Sequence, residues 1–462
     1  MQIRHSDLLF FQKDADFFVF DKKSAYLYPI DDLHYNIGKA IQSAYKHSQT
    51  ILEVQHFIRI IKEYAPHIVR DHYRFIATLL FERADNKPER KIITKLDIIK
   101  SISVVPHIVV EVTERCNFRC RYCYYGEMYN SLSESQPRCN EMPEEECLNC
   151  LREILSLKDL LNNNRTVISF YGGEPSLNFR LIRKIVLFCK KEFPDIDFQF
   201  RTTTNGSLLK KHIDFLVEHD FHLLVSLDGD EKSDMHRCYR DGHYSFSIVK
   251  QNIDYLFNKY RQYFSNNIEF ISVLHQDSDI VSICRLFSKY EKTPLLTNLS
   301  TEGIVAGKQN VLPYNGVSFH EMLLLKEINR EVYDVIQGAS KENIMMNANS
   351  FAHGNPKVRG CYLFANKIFL AADMHIYLCE KSSRKFPFGD FKNGVLNFDY
   401  QKINRYYQDF NKVIGIECRQ CSLHYLCDKC FFESPSLIVS PIKCKLSDDE
   451  MIKKINNTLE YD

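Results

Sequence analysis

Apolar and polar positions change their spacing along this chain, and each change predicts a different kind of structure. Within residues 1–104, FFVFDKKSAYLYPI reads as two short strands on either side of an Asp21-Lys22-Lys23 turn. Further on, ILEVQHFIRIIKEY spaces its apolar residues three and four apart, as an amphipathic helix does. The expectation for this region is a small α+β module. From His107 the pattern becomes strand, loop, helix, repeated. HIVVEV, TVISFY, DFQFRTTT, HLLVSL, IEFISVL and PLLTNLS are six β-rich runs. Helical stretches such as PEEECLNCLREILSL, FRLIRKIVLFCKKEF, LLKKHIDFLVEH and YSFSIVKQNIDYLFNKY separate them. Alternation of this kind predicts an α/β fold, a parallel sheet with helices packed outside it. Six units, not eight, suggest a partial (β/α)6 barrel of TIM type over residues 105–300. Residues 301–360 carry a helical connector, VSFHEMLLLKEINREVYDVI, and residues 361–462 a cysteine-rich tail containing the hairpin-like KIFLAADMHIYLC.

In barrels of this type the chemistry sits at the carboxyl ends of the strands. The distinctive motifs of this chain fall there. HIVVEV leads into TERCNFRCRYC, TVISFY into GGEP, DFQFRTTT into NG, and HLLVSL into DGD.

Composition narrows the field. At 462 residues the chain exceeds one small core, and two or three domains are expected. Lysine and arginine (60) nearly cancel aspartate and glutamate (59), so the basic excess of a nucleic-acid binder is missing. The opening MQIRHSDLLFFQKD has no apolar run of signal-peptide type, and no stretch approaches the ~18 apolar residues of a membrane helix. The expected location is the cytoplasm. There, clustered cysteines are more often metal ligands than disulfides. Of the sixteen cysteines, three lie at 116–123 and seven between 361 and 444.

Cys116, Cys120 and Cys123 are spaced Cys-x3-Cys-x2-Cys. Three thiolates on one short loop can hold three irons of a 4Fe–4S cube and leave the fourth open to an outside ligand. A zinc knuckle is the competing reading, but zinc sites usually need four protein ligands in Cys-x2-Cys pairs. At these residues the sequence resembles the radical S-adenosylmethionine (SAM) superfamily. An aromatic, Tyr122, precedes the last cysteine as in that family. Gly172, Gly173, Glu174 and Pro175 are similar to the motif for the cofactor's methionine amino group. TTTNG, with Thr204 and Asn205, is similar to the segment approaching its carboxylate and ribose. SLDG (Ser226, Asp228) and HRCYRDGHYSF (Arg240) look like the subfamily that modifies peptides and proteins. The resemblance implies one 4Fe–4S cluster on the three cysteines and reductive cleavage of SAM to a 5′-deoxyadenosyl radical. It also implies an electron donor such as flavodoxin or ferredoxin. The bottom-up chemistry agrees: the glycines admit close backbone approach, and Glu174 offers an acceptor to an ammonium group.

In the tail, Cys418, Cys421, Cys427 and Cys430 form Cys-x2-Cys-x5-Cys-x2-Cys, with Cys361 and Cys379 before them and Cys444 after. Spacing alone allows a zinc ribbon, yet seven ligands exceed one tetrahedral site. This tail resembles the SPASM domain of radical maturases. That resemblance implies one auxiliary cluster on Cys418, Cys421, Cys427 and Cys444, and another on Cys361, Cys379 and Cys430. The last cysteine pair is spaced by two residues where the family usually has three. Met374 stands where a hairpin glycine is expected. The second auxiliary cluster has three cysteines rather than four.

Cys139, Cys147 and Cys150 read as unligated thiols, or else as a substrate-handling thiol or a missing cluster ligand, and Cys189, Cys238 and Cys284 as core or incidental. His236 stands out by its place beside the peptide-modifying motif, although a lone histidine is more often structural. Three functions compete. A peptide maturase would install a thioether or carbon–carbon crosslink, with residues 15–95 capturing a leader peptide by β-augmentation. An anaerobic sulfatase maturase would make formylglycine. A structural metal-binding adaptor would not need GGEP or TTTNG. Sulfatase maturases begin close to the radical loop and carry aspartate after the cysteine matching Cys379, where this chain has Glu380. The peptide maturase is therefore preferred.

Overall fold

The computed structural model describes residues 8–13, 15–21, 26–30, 32, 35–36, 38–39, 92–129, 139–158, 165–299, 304–305, 307–314, 319–330, 332, 363–364, 366–382, 384 and 386–412. Near the amino end, β1 (Leu8–Lys13), β2 (Asp16–Asp21) and β3 (Tyr26–Ile30) form an antiparallel sheet in the order β1-β2-β3. The sequence reading expected only two strands here. LLFFQK contributes the third: Leu9 and Phe11 alternate onto one buried face, where Phe11 stacks on Phe18 of the neighbouring strand, ring centroids 5.6 Å apart. The helical pattern at residues 51–64 lies outside the described residues.

The six β-rich runs form β4 (His107–Thr113), β5 (Arg165–Gly172), β6 (Asp197–Thr204), β7 (His222–Ser226), β8 (Ile268–Leu274) and β9 (Leu295–Asn298). Each pairs in parallel with the next. In β4 every residue after His107 is buried, as a strand covered on both faces requires. The helices that return the chain include α1 (Lys95–Val104), α2 (Glu144–Ser156), α3 (Phe179–Glu192), α4 (Leu209–Glu218), α5 (Phe246–Lys259), α6 (Arg261–Asn267) and α7 (Ile280–Ser288). Their apolar stripes meet the sheet in one continuous core holding Ile154, Ile185, Leu216 and Ile253. Cys147, Cys150 and Cys189 are buried in that core, and Cys139 is exposed. α8 (Phe319–Ile328) packs Leu325 against Ile280 and Cys284 of α7.

The C-terminal hairpin does not form a sheet of its own. β10 (Ile368–Leu370) pairs in parallel with β4, and β11 (His375–Tyr377), β12 (Gly389–Lys392) and β13 (Val395–Phe398) continue antiparallel from it. One ten-stranded sheet results, in the order β13-β12-β11-β10-β4-β5-β6-β7-β8-β9. Fully buried Glu111 of β4 fastens the junction, accepting from the Ala372 backbone N–H (3.1 Å) and from Arg384 Nη2 (2.9 Å). α9 (Tyr400–Lys412) clasps the segment before the barrel: Asn404 bonds both backbone groups of Ile93, at 2.8 and 2.9 Å. Met374 takes the left-handed conformation (φ 66°) in the β10–β11 turn, the geometry the expected glycine would have supplied. No helix among the described residues is long and apolar enough to cross a membrane.

Candidate active site at the carboxyl ends of the strands

β4 ends in an irregular pairing with β5: the register shifts between Glu111 and Thr113, and Thr113 comes to face Gly172. Such a bulge redirects the chain, and here it releases residues 114–129 across the ends of the strands. Cys116, Cys120 and Cys123 lie on this loop, all unpaired as disulfides. Burial pushes the Cys116 thiol up to about 11 and the Cys120 thiol higher still; the Cys123 charge raises both, and the Cys116 charge raises Cys120. Three thiols that disfavour one another's ionisation are close together. A cation bound among them would reverse that penalty and displace their protons.

The loop is held from behind by the segment after β7. Arg119 and Arg121 donate their backbone N–H groups to the carbonyls of Cys238 (2.7 Å) and His236 (3.0 Å). Phe118 packs edge-on against Tyr239, ring centroids 4.7 Å apart. Beneath the loop lies a buried ionic network. The Tyr122 hydroxyl donates to Asp228, and Arg237 reaches Tyr122 (Nη1, 3.2 Å) and Asp234 (Nε, 3.8 Å). Asp228 also accepts from the Val273 backbone N–H at 3.0 Å, and its own backbone N–H donates to Asp234 at 3.0 Å. Burial and the Asp228 charge hold the Tyr122 phenol well above its ordinary range.

The same causes, burial first and then Asp228, push the Asp234 carboxyl from 3.8 up to about 8. The native protein then keeps a proton at Asp234 that the unfolded chain loses near pH 4, so stability falls as pH rises between those values. Asp234→Asn is expected to flatten that fall, as read from urea midpoints measured from about pH 5 to pH 9. An unchanged slope would place the proton elsewhere.

GGEP sits where β5 ends. A Cβ on Gly172, whose φ is +143°, would lie 2.0 Å from the Thr113 carbonyl oxygen; one on Gly173 would lie 2.3 Å from that of Arg115. Backbone cannot yield as a side-chain tip can, so both positions demand glycine. Gly173→Ala is expected to cost about 1–3 kcal/mol, seen as a lower denaturant midpoint, because the cysteine loop must be pushed away. Glu174 is buried. Its carboxylate accepts from the Thr204 hydroxyl (2.7 Å), the Asn205 backbone N–H (2.7 Å) and the Ser176 backbone N–H (3.1 Å). Asn205 turns its amide toward the cysteine loop, with Nδ2 2.9 Å from Asn117 Oδ1 and 3.9 Å from Cys116 Sγ. Asn117 donates to Ser207 (2.9 Å), and Asn252 of α5 fixes this turn by bonding the carbonyls of Gly206 and Ser207, both at 2.9 Å.

Hydrogen bonds thus join Cys116, Glu174, Thr204 and Asn205 in one network and Tyr122 and Asp228 in another, with Gly172 and Gly173 against the backbone that leads into the loop and Cys120 and Cys123 on the loop itself. Ser226 lies half-buried at the end of β7. Arg240 does not join it. With Asp241 it occupies the exposed tip of a turn closed by Gly242 N–H to Tyr239 O at 3.0 Å. Arg237 is the arginine turned inward, and sequence reasoning missed it, together with Asn117, Ser207 and Asp234. In HRCYR the two arginines are three apart, and nothing in their spacing tells which one the turn exposes.

Of the tail cysteines, Cys379 is described and buried just past β11, its Sγ 3.4 Å from Ser382 Oγ. Its turn rests on the radical loop: the hydroxyls of Tyr125 and Tyr124 donate to the carbonyls of Glu380 and Lys381, each at 3.4 Å. Cys361, Cys418, Cys421, Cys427, Cys430 and Cys444 lie outside the described residues.

The sequence pattern of the radical SAM superfamily matches residues 110–281. Over 189 residues the chain is 25% identical to the radical SAM cyclopropyl synthase TigE of Paramaledivibacter caminithermalis, covering 40% of this chain and 38% of TigE. Over 167 residues it is 28% identical to a cysteine-type anaerobic sulfatase-maturating enzyme of Clostridium novyi, covering 35% and 42%. The matches thus span about two-fifths of the length of these relatives. The fold is that of anSMEcpe, solved with bound AdoMet, at a TM-score of 0.54, 17% identity, 77% of this chain and 96% of that one. The same protein with AdoMet and the Cp18Cys peptide aligns at 0.53.

Proposed function

We propose that this chain, a radical SAM protein through residues 110–281, modifies a peptide by hydrogen abstraction, forming a thioether, carbon–carbon or similar crosslink. Its family uses a 4Fe–4S cluster and S-adenosylmethionine, and the residues present suit both. Three thiols, none in a disulfide, converge on the loop after β4, and a buried carboxylate and amide stand beside them. When bound, the cluster and S-adenosylmethionine supply a carbon-centred radical strong enough to take hydrogen from an unactivated C–H bond.

The chain's own residues do the rest. Cys116, Cys120 and Cys123 hold the cluster. Glu174 accepts from the cofactor's ammonium group, for which the Thr204 hydroxyl and Asn205 N–H now stand in. Asn205, its amide turned toward Cys116, would offer a hydrogen bond to the cofactor's polar groups. Tyr122, locked by Asp228 and Arg237, keeps the loop rigid and closes it from beneath against water. An electron donor of the flavodoxin or ferredoxin class reduces the cluster.

One observation carries the peptide reading: the Cys379 turn sits directly on Tyr124 and Tyr125 of the cysteine loop, on a hairpin built into the barrel's own sheet. Cys379 on that hairpin would help to hold a second iron–sulfur centre, which would supply an electron acceptor beside the cysteine loop. The relative named for maturing a sulfatase, and the fold shared with a protein solved with a peptide, support a peptide-sized substrate. The leader is captured at β1, the edge of the small sheet with every N–H intact; the opposite edge carries Pro29.

The test is anaerobic incubation of the iron-reconstituted chain with S-adenosylmethionine, reductant and a short peptide encoded beside it. The expected products are 5′-deoxyadenosine and a peptide lighter by two hydrogens. A sulfatase-type peptide whose cysteine instead becomes formylglycine would establish the sulfatase maturase, the reading favoured by the Clostridium novyi relative. 5′-Deoxyadenosine with no change in either peptide would overturn the peptide reading.

A further inference from the structure

Two strand-end loops bring together a donor set that the reaction above does not use. His275 and Asp277 lie on the tight turn just after β8, closed by the Ser278 N–H to the His275 carbonyl at 2.9 Å. His236 comes from the loop after β7. One nitrogen of each histidine and one oxygen of Asp277 all lie within 4.8 Å of one another. His236 Nε2 is 2.8 Å from Asp277 Oδ2, and His275 Nδ1 is 4.0 Å from the same oxygen. His236 is 3% exposed, His275 is fully buried, and the Asp277 side chain is 32% exposed.

The geometry points to a binding site for a first-row divalent metal ion on His236, His275 and Asp277, separate from the cysteine loop. The chemistry of the donors supports it in three ways. His275 Nε2 donates to the Ser233 carbonyl at 2.8 Å, which leaves the lone pair on Nδ1, the nitrogen facing Asp277. Histidines that bind metals are commonly oriented by such a bond from the other ring nitrogen. Among the described residues the donor to that lone pair is the Asp277 backbone N–H at 3.2 Å, a long bond that a metal would replace. Second, with Nε2 donating to Asp277, His236 Nδ1 is buried and has no hydrogen-bond partner among the described residues. That nitrogen is on the far side of the ring from Asp277, so no bond to it fixes the tautomer and Nε2 can turn its lone pair to an ion. Third, two neutral imidazoles and one carboxylate carry a single negative charge, and this mixed nitrogen–oxygen set suits Fe(II), Mn(II), Co(II) or Zn(II) over the softer ions that thiolates select.

Three protein ligands would leave coordination positions open on the exposed Asp277 side. The His275 ring lies 6.1 Å from that of Tyr122, so the ion would stand beside the cysteine loop. It would offer those positions to water or to a substrate oxygen.

The experiment uses the full, iron-reconstituted chain, freed of loose metal and titrated anaerobically with Mn(II), which competes poorly for cysteine. Free Mn(II) is counted by its EPR signal, and bound Mn(II) is examined by pulsed EPR for coupling to histidine nitrogen. The expected result is one Mn(II) per chain with nitrogen coupling, weakened about tenfold or more by His236→Gln and by Asp277→Asn. Asp277→Asn changes a partly exposed side chain of the same shape, so it keeps the test open should His236→Gln fold poorly. No saturable binding below about 1 mM, no nitrogen coupling, or affinity unchanged in a folded Asp277→Asn variant would overturn the site. Formation of 5′-deoxyadenosine is scored separately and tests the radical reading alone.

Discussion

Cys120→Ala is expected to remove about four irons per chain and bring 5′-deoxyadenosine formation down to background. Cys120 is the middle cysteine of the loop, its thiol raised first by burial, with Cys116 and Cys123 both close enough to raise it further. Removing it leaves two thiols, too few to hold three irons. The control is Cys238→Ala. That cysteine lies against the same loop, its Sγ donating to the Arg119 carbonyl at 3.2 Å, yet it belongs to the supporting segment. It is expected to keep its iron and its product. Iron content and product should fall together in the first variant and hold together in the second. A Cys120→Ala protein that still makes 5′-deoxyadenosine would remove the cluster from this loop.

The second large effect is on stability. Arg237→Met is expected to cost about 3–5 kcal/mol, because it leaves Asp228, and above about pH 8 Asp234 as well, buried without a cation. It also removes a donor from the Tyr122 hydroxyl, and with it part of the floor under the cysteine loop. Lysine should rescue little, since the guanidinium reaches Tyr122 and Asp234 with two different nitrogens and an ammonium is a single point. A double variant, Arg237→Met with Asp234→Asn, should regain part of the loss at pH 9, where Asp234 is ionised, by removing one of the stranded carboxylates. Thermal or urea unfolding of all four proteins closes the cycle. Strict additivity would show that arginine and aspartate do not act as one network.

Much of this could be read without coordinates, and for a physical reason. Strand runs buried on both faces and helices with a single apolar stripe carry their environment in their period, so β4 to β9 could be placed from sequence. The cysteine loop, GGEP and TTTNG were recognisable because a short loop that holds a cluster or touches a cofactor tolerates few alternatives. Glycine at 172 and 173 belongs to the same class, since the backbone of residues 113–115 leaves no room for a Cβ.

What sequence could not supply are contacts between segments distant along the chain. Which arginine of HRCYR turns inward was decided by the turn that exposes Arg240. The pairing of β10 with β4 joins residues some 260 apart, and a three-residue strand has no period from which a partner could be inferred. His236 and His275 lie 39 positions apart and read singly as structural histidines; only the adjacency of β7 and β8 puts them beside Asp277. The sequence by itself determined the repeating strands and the loops whose chemistry is local. Tertiary structure alone decided the buried ionic floor, the seating of the Cys379 turn on the radical loop and the histidine–aspartate cluster. Each of these depends on which strand ends become neighbours, and local pattern does not encode that.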